Sequence, residues 1–149
     1  MRKRSQAREF ALQILYQIDM THDDCETALA NFWLLRLNQD KEEVDPDIKQ
    51  FANELVKGVA RHLKDIDTKI SRLAANWDIN RMAVVDRNIL RMGSFELLFS
   101  EDIPPKVSIN EAIDLAKKYS GIKAGQFVNG ILDKIKLERK PGLAPGQNL

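Results

Sequence analysis

The stretch from residue 80 to residue 100, NRMAVVDRNILRMGSFELLFS, is the most continuously apolar run in the chain. At 100° per residue its large apolar side chains cover two opposite sides of a helix, so other helices must surround it. Asn80 is a suitable N-cap, and Pro104-Pro105 forbids continuation, because proline lacks the amide hydrogen and restricts the residue before it. We therefore predict a central helix of about five turns at ~3.6 residues per turn.

Six further segments show the apolar spacing of amphipathic helices, and no run alternates in the manner of a strand. The predicted helices cover approximately residues 7–18, 28–35, 46–62, 66–77, 108–119 and 127–135. Their expected N-caps include Ser5, Asp45 before Pro46, and Ser108, which forms a capping box with Glu111. The polar segments 38–47 and 120–125 are predicted as loops. The helical period overrides the hairpin dipeptide Asn129-Gly130.

The fold class is therefore predicted to be all-α, with seven helices in one domain and the first three and last four as two subdomains. A chain of 149 residues is large enough for one such core. We expect the domain to span residues 1–140 and the glycine- and proline-rich segment 141–149 to be a flexible tail.

Several functional classes lack their motifs in this sequence. There is no glycine-rich phosphate loop, dinucleotide fingerprint, paired-histidine helix or serine nucleophile elbow, which argues against an enzyme and against a cofactor or metal. Cys25 is the single cysteine, which excludes an intramolecular disulfide and fits a reducing cytosol. No apolar run approaches the ~20 residues of a membrane span, so we expect a cytoplasmic protein that does not enter membranes.

Charge is distributed unevenly, although the formal net charge is only +1. Arg2, Lys3, Arg4 and Arg8 form a basic head, acidic residues follow between positions 40 and 47, and lysines and an arginine return near position 136. The first three cations precede the predicted helix, and the fourth lies one turn inside it. A flexible head of this kind can follow a phosphate backbone.

Other candidate residues each allow two interpretations. Tyr16 lies off the apolar stripe of the first helix, where it either covers the edge of the core or binds a partner. Arg87 and Arg91 share one strip of the central helix and form either surface ion pairs or a binding site.

The start of the last helix offers a third such choice. Phe127, beside Lys123 and Gln126, is either a core residue or a ring on which a base of single-stranded RNA can stack.

Three segments resemble the NusB family of bacterial transcription antitermination factors: AREFALQILYQID, VDRNILRMGSFELLF and IPPKVSINEAIDLAKKYSGIKAGQFVNGILDKI. The resemblance extends from about Arg4 to Lys136 and implies the all-helical NusB fold. It also implies binding of the boxA element of nascent ribosomal RNA together with NusE, a small-subunit ribosomal protein. The pair would belong to a complex on RNA polymerase that lets transcription pass terminators.

The resemblance implies an RNA-binding set composed of Arg2, Lys3, Arg4, Arg8, Tyr16, Arg87, Arg91, Lys123, Gln126 and Phe127. The head is thinner than in relatives with an arginine run, since Ser5 and Gln6 replace further cations, while Lys123 stands where some relatives are acidic. The alternatives are a helical adaptor without RNA specificity and a stand-alone relative of the N-terminal domain of ribosomal RNA cytosine methyltransferases. The chain length disfavours a whole methyltransferase of that kind. The free protein is either a monomer or a homodimer that hides its RNA face.

Overall fold

The computed structural model describes residues 2–40, 43–75 and 77–139, and these residues contain seven α-helices and no β-strand. The helices are α1 (Lys3–Thr21), α2 (Cys25–Asp40), α3 (Pro46–Arg61), α4 (Leu63–Leu73), α5 (Val84–Phe99), α6 (Pro105–Ser120) and α7 (Ile122–Lys136), with a 3-10 turn at Ile79–Arg81. This confirms the predicted fold class. Among the described residues, no helix combines the length with the apolar character that a membrane span requires.

The chain divides into two compact units, residues 1–61 with α1 to α3 and residues 62–149 with α4 to α7. This division matches the predicted groups of three and four helices. The assignment of residues 1–140 to a single domain stays a prediction, and the predicted tail lies outside the described residues.

The first unit is built on the apolar stripe of α1, which packs against α3 and α2. Phe10 is buried on this stripe and meets Phe32 and Trp33 of α2 edge to face, with ring centroids 6.0 and 5.5 Å away. The indole Nε1 of Trp33 donates to Asn53 Oδ1 at 2.7 Å. Burial of these rings and a satisfied indole N–H together link the three helices.

Helix starts in the first unit agree only partly with the predicted caps. Asp45 caps α3 as predicted, because its Oδ1 accepts the Asp47 amide at 2.8 Å and Pro46 is the first helical residue. The Ser5 cap is wrong, since α1 already begins at Lys3 and Arg2 occupies the N-cap position. Helix α2 continues to Asp40, so the predicted loop 38–47 is too long.

The second unit surrounds α5, which packs against α4, α6 and α7. Ile89, Leu90 and Leu97 are fully buried, which confirms the prediction of a central helix wrapped by others. The Asn80 cap is wrong: Asn80 lies in the 3-10 turn, and its amide donates to Asp78 Oδ1 at 3.0 Å. Helix α5 is correspondingly shorter than predicted, with 16 residues.

Two close contacts hold α6 and α7 onto α5. A Cβ on Gly93 of α5 would lie 2.8 Å from Leu132 Cδ1 of α7, so glycine permits this approach. Ser108 is inside α6 and donates to the buried carboxylate of Glu96 at 2.8 Å. The predicted capping box with Glu111 is therefore wrong, because α6 starts three residues earlier, at Pro105, and Ser108 binds α5 instead.

A single residue separates α6 from α7. Gly121 adopts φ 103° and ψ 177°, a conformation that essentially only glycine occupies, and its amide donates to the carbonyls of Ala116 and Lys117. The predicted loop 120–125 is therefore wrong, and α7 begins at Ile122. The helix continues through Asn129 and Gly130, as predicted.

Candidate nucleic-acid interface

The basic head belongs to the first turns of α1, and its lysine is matched by two acids. Lys3 Nζ lies 3.0 Å from Asp45 Oδ2 and 3.3 Å from Asp47 Oδ2. Hydrogen bonding to Asp45 and Asp47 raises the pKa of Lys3, and the same bond from Lys3 lowers the pKa of Asp45. The prediction of a flexible head is wrong for Lys3 and Arg4, because both are helical.

Arg4 and Arg8 lie on the same face of α1 and contact one ring. Their guanidinium carbons are 4.7 and 5.2 Å from the centroid of the Phe51 ring of α3, within the range of cation–π attraction. Arg4 is exposed, whereas Arg8 is 2% exposed and lies in the interior of the unit. The position of Arg8 does not support the prediction that it reaches a phosphate, because its side chain packs against α3.

Tyr16 is 42% exposed on α1, which confirms that its ring lies off the buried stripe. Arg2, at the N-cap, is also exposed. The first unit therefore presents a tyrosine ring and a group of cations on α1. Their use in RNA binding stays a prediction.

The predicted exposed strip on α5 is wrong for Arg91, which is 9% exposed. Arg91 forms a bidentate ion pair with Asp67 of α4, in which Nε donates to Oδ1 at 2.8 Å and Nη2 donates to Oδ2 at 2.9 Å. Its Nη1 donates to Asn88 Oδ1 at 3.1 Å. Arg87 is half-buried one turn earlier. The spacing correctly put both arginines on one face, but α4 covers that face.

The first two turns of α7 present the predicted combination of a cation, an amide and a ring. Lys123 and Gln126 are exposed, and Phe127 is half-buried. Lys123 forms no ion pair with any residue that the structure describes. The Phe127 ring meets that of Trp77 edge to face, with centroids 6.0 Å apart and planes inclined by 67°. The ring therefore lies at the edge of the core, and its use as a stacking surface for RNA stays a prediction.

Trp77 is not among the predicted site residues, because it stands at the end of a predicted helix. It lies instead in the connection between α4 and the 3-10 turn and is 52% exposed. A signal was present in the sequence: Trp77 directly precedes Asp78, the cap of the following turn, and so belongs to a linker.

No group of three or more histidine, cysteine, aspartate or glutamate side chains among the described residues could hold a metal ion. Cys25 is half-buried, and burial, followed by the charge of Glu26, raises the pKa of its thiol. The thiol is therefore protonated at neutral pH and is a poor nucleophile.

Comparison with known proteins gives a consistent result. The sequence profile of the NusB family matches residues 5–136. The chain is 47% identical over 133 residues to the transcription antitermination protein NusB of Anaeromyxobacter dehalogenans, covering 89% of each chain. It is similar to the structure of T. maritima NusB, with a TM-score of 0.81, 39% identity and 93% of each chain covered.

A second solved structure contains other molecules. A crystal structure described as antitermination factors NusB and NusE in complex with dsRNA is similar with a TM-score of 0.79 and 32% identity, covering 93% of this chain and 98% of that chain.

Proposed function

This chain belongs to the NusB family, and from that premise we propose that it acts in transcription antitermination by binding the boxA element of nascent ribosomal RNA together with NusE. The pair would act within a complex on RNA polymerase, in the cytoplasm. The role is one of binding and not of catalysis. The similar structure that contains NusE and dsRNA, whose match covers 93% of this chain and 98% of that chain, supports NusE and RNA as partners.

The observation that carries an RNA-binding role on this chain is the surface at the start of α7. Lys123, Gln126 and Phe127 offer a cation, an amide and a partly exposed ring within two helical turns. Unpaired RNA is recognised by this combination, since rings stack on bases, amides meet base edges and cations meet phosphates.

The predicted RNA-binding set divides by burial. We assign direct contact to the exposed members, which are Arg2, Lys3, Arg4, Tyr16, Lys123 and Gln126, together with the half-buried Phe127. Arg8 and Arg91 are buried against Phe51 and Asp67, so we assign them the role of supporting α1 and α5. Arg87 is half-buried and stays a candidate for contact.

Lys3 is expected to contribute less than its charge suggests. A phosphate would have to compete with Asp45 and Asp47 for its ammonium group. Lys123 has no such competitor among the described residues and should contribute more of the electrostatic attraction.

The test measures affinity for a labelled boxA RNA and for a scrambled strand, with and without NusE, by fluorescence anisotropy at fixed salt. We expect NusE to raise affinity for boxA more than for the scrambled strand, because phosphate contacts position the RNA while base contacts discriminate. Equal gains on both strands, or no preference for boxA in any mixture, would contradict the proposal and favour the alternative of a helical adaptor without RNA specificity.

A further inference from the structure

We propose that Trp77 is a second stacking ring of the RNA site and that it forms, with Phe127, a corner that receives one unpaired base. The inference rests on the proposed RNA-binding function and adds a residue and a ligand geometry to it. The ligand class is single-stranded RNA, because a base must be unstacked from its neighbours before it can lie on a protein ring.

The two rings form a corner and not a flat platform. Their centroids are 6.0 Å apart and their planes are inclined by 67°, so a base lying flat on one ring would present its edge to the other. Trp77 is 52% exposed, an unusual loss of burial for the largest apolar side chain. The other tryptophan of the chain, Trp33, is 8% exposed and satisfies its indole N–H within the fold.

A stripe along α7 continues the corner. Lys123, Phe127, Gly130 and Lys134 are spaced by four, three and four residues, which places them on one face of the helix. Lys134 Nζ lies 3.5 Å from the carbonyl oxygen of Leu73 at the end of α4, shortly before Trp77. The end of α4 and the Trp77 linker therefore run beside this stripe, with one cation on each side of the rings.

Gly130 leaves a gap in the stripe for which packing gives no reason. A Cβ added there would meet no atom within 4 Å, whereas one added to Gly125 on the same helix would lie 3.0 Å from Lys117 Cγ. Glycine inside a helix is unfavourable relative to alanine, so a position with room for a side chain gains nothing from it in the free protein. A ligand backbone that approaches the helix closely at this point would supply the reason.

The corner and the stripe together fit one nucleotide with its flanking phosphates. The base stacks at the Trp77–Phe127 corner, the sugar-phosphate chain passes over Gly130, and Lys123 and Lys134 face the phosphates on either side. Stacking on the two rings selects no base by hydrogen bonding, and the amide of Gln126 is exposed beside Phe127. The corner should therefore contribute affinity more than sequence preference.

The direct test uses the fluorescence of Trp77. The variant Trp33→Phe leaves Trp77 as the single tryptophan, and unlabelled single-stranded boxA RNA is titrated into it. We expect saturable quenching of the emission, with its half-point at the dissociation constant measured independently by anisotropy. A fully paired duplex of the same sequence should not quench it. Should Trp33→Phe fold poorly, the difference between the parent and Trp77→Ala emission gives the same information.

Affinity provides the second measurement. Trp77→Ala should weaken binding of single-stranded RNA roughly 5- to 100-fold, and Trp77→Phe should recover part of the loss, since a ring remains. The thermal midpoint should stay near that of the parent, because the side chain is largely exposed. If RNA leaves Trp77 emission unchanged and Trp77→Ala binds RNA with parental affinity, the inference is overturned. The proposed function still stands in that case if the parent binds boxA. An absence of any RNA binding by the parent would overturn both.

Gly130→Ala tests the path of the RNA backbone. We expect this substitution to raise the thermal midpoint and to lower RNA affinity, two effects of opposite sign that a simple folding defect cannot produce. Asn129→Ala is the matched control, because Asn129 is exposed on the same helix but lies off the stripe. Parental affinity of Gly130→Ala would contradict the close approach at this position.

Discussion

Arg91 illustrates how burial decides what a charged residue does. By spacing it is equivalent to Arg87, yet it is enclosed and pairs with Asp67 through two parallel hydrogen bonds. An ion pair with both partners largely out of water contributes little net stability, but removing one partner leaves the other uncompensated. Arg91 should therefore matter for folding before it matters for RNA.

The corresponding prediction concerns stability. Arg91→Lys should lower the free energy of unfolding, because an ammonium group cannot reproduce the bidentate geometry of a guanidinium. In a double-mutant cycle with Asp67→Asn, measured by urea unfolding, the coupling energy should be about 0.5–3 kcal/mol. RNA affinity per folded molecule should stay parental; a large loss of affinity in a variant of unchanged stability would return Arg91 to the RNA-binding set.

Asp24 supplies a prediction about pH. Its Oδ1 accepts the amide of Thr27 at 2.8 Å at the start of α2, and this hydrogen bond lowers the pKa of the carboxyl group. A carboxyl whose pKa is lower in the folded state contributes stability above its unfolded value of about 3.9, and this contribution is lost as pH falls through the lowered pKa. Thermal midpoints should therefore fall on acidification.

Asp24→Asn keeps an oxygen acceptor and removes the charge, so it should flatten this fall between about pH 5 and pH 2, measured by circular dichroism. Asp23→Asn, which removes a charge but no side-chain hydrogen bond to a described residue, serves as the control. Equal slopes for the parent and Asp24→Asn would show that the capping bond does not drive the dependence.

At the scale of whole elements, substitution of Gly121, just before α7, and of Gly130, inside it, should change stability in opposite directions. Gly121 holds a conformation denied to other residues, and a Cβ there would touch nothing within 4 Å, so only backbone strain opposes substitution. We expect Gly121→Ala to lower the free energy of unfolding by roughly 1–3 kcal/mol. Gly130→Ala, at a helical position, should raise it by up to about 1 kcal/mol. Urea unfolding of the pair checks both signs, and a neutral Gly121→Ala would show that the connection tolerates another conformation.

Helix positions were predictable from the sequence because the apolar period is a property of each segment. Helix starts were less so. The predicted N-cap Asp45 was right, because the capping residue directly precedes Pro46, the first residue of the helix. The predicted N-cap Ser108 was wrong, because its hydroxyl donates to Glu96 of another helix. The predicted N-cap Asn80 was wrong, because Asp78 caps a separate turn that contains Asn80. The Ser108 outcome depends on a tertiary contact that no local pattern contains, whereas the turn at Asp78 is a local feature.

The candidate site was predictable to a similar extent. The exposure of Tyr16 followed from its face of the first helix, whereas Lys123 lies in α7 and not in the predicted loop. The burial of Arg91 by α4 did not follow from the sequence, nor did the meeting of Trp77 with Phe127, because each joins elements that are distant in the sequence.

For the molecule as a whole, the electrostatics that matter for a nucleic acid are local. A formal net charge of +1 gives little long-range attraction, so binding should depend on the few cations that reach phosphate. The salt dependence of binding counts those contacts, at roughly 0.7 of a logarithmic unit each on single strands.

We expect Lys123→Ala to reduce the slope of log affinity against log salt by about 0.7, and Lys3→Ala by less, because Asp45 and Asp47 already share the charge of Lys3. Lys106→Ala, an exposed lysine of α6 outside the proposed site, is the control. A steeper loss for Lys3→Ala than for Lys123→Ala would reverse this ranking of the two cations.

The single-residue connection at Gly121 also bears on the order of folding events. Helices α6 and α7 pack closely and are joined by the shortest of loops, so little chain entropy opposes their pairing. The contact between Trp77 and Phe127 joins residues fifty positions apart and should form later. A refolding chain would thus acquire helical content before Trp77 emission reaches its native value. Loss of the Trp77–Phe127 contact would remove the proposed base corner and leave α6 and α7 paired.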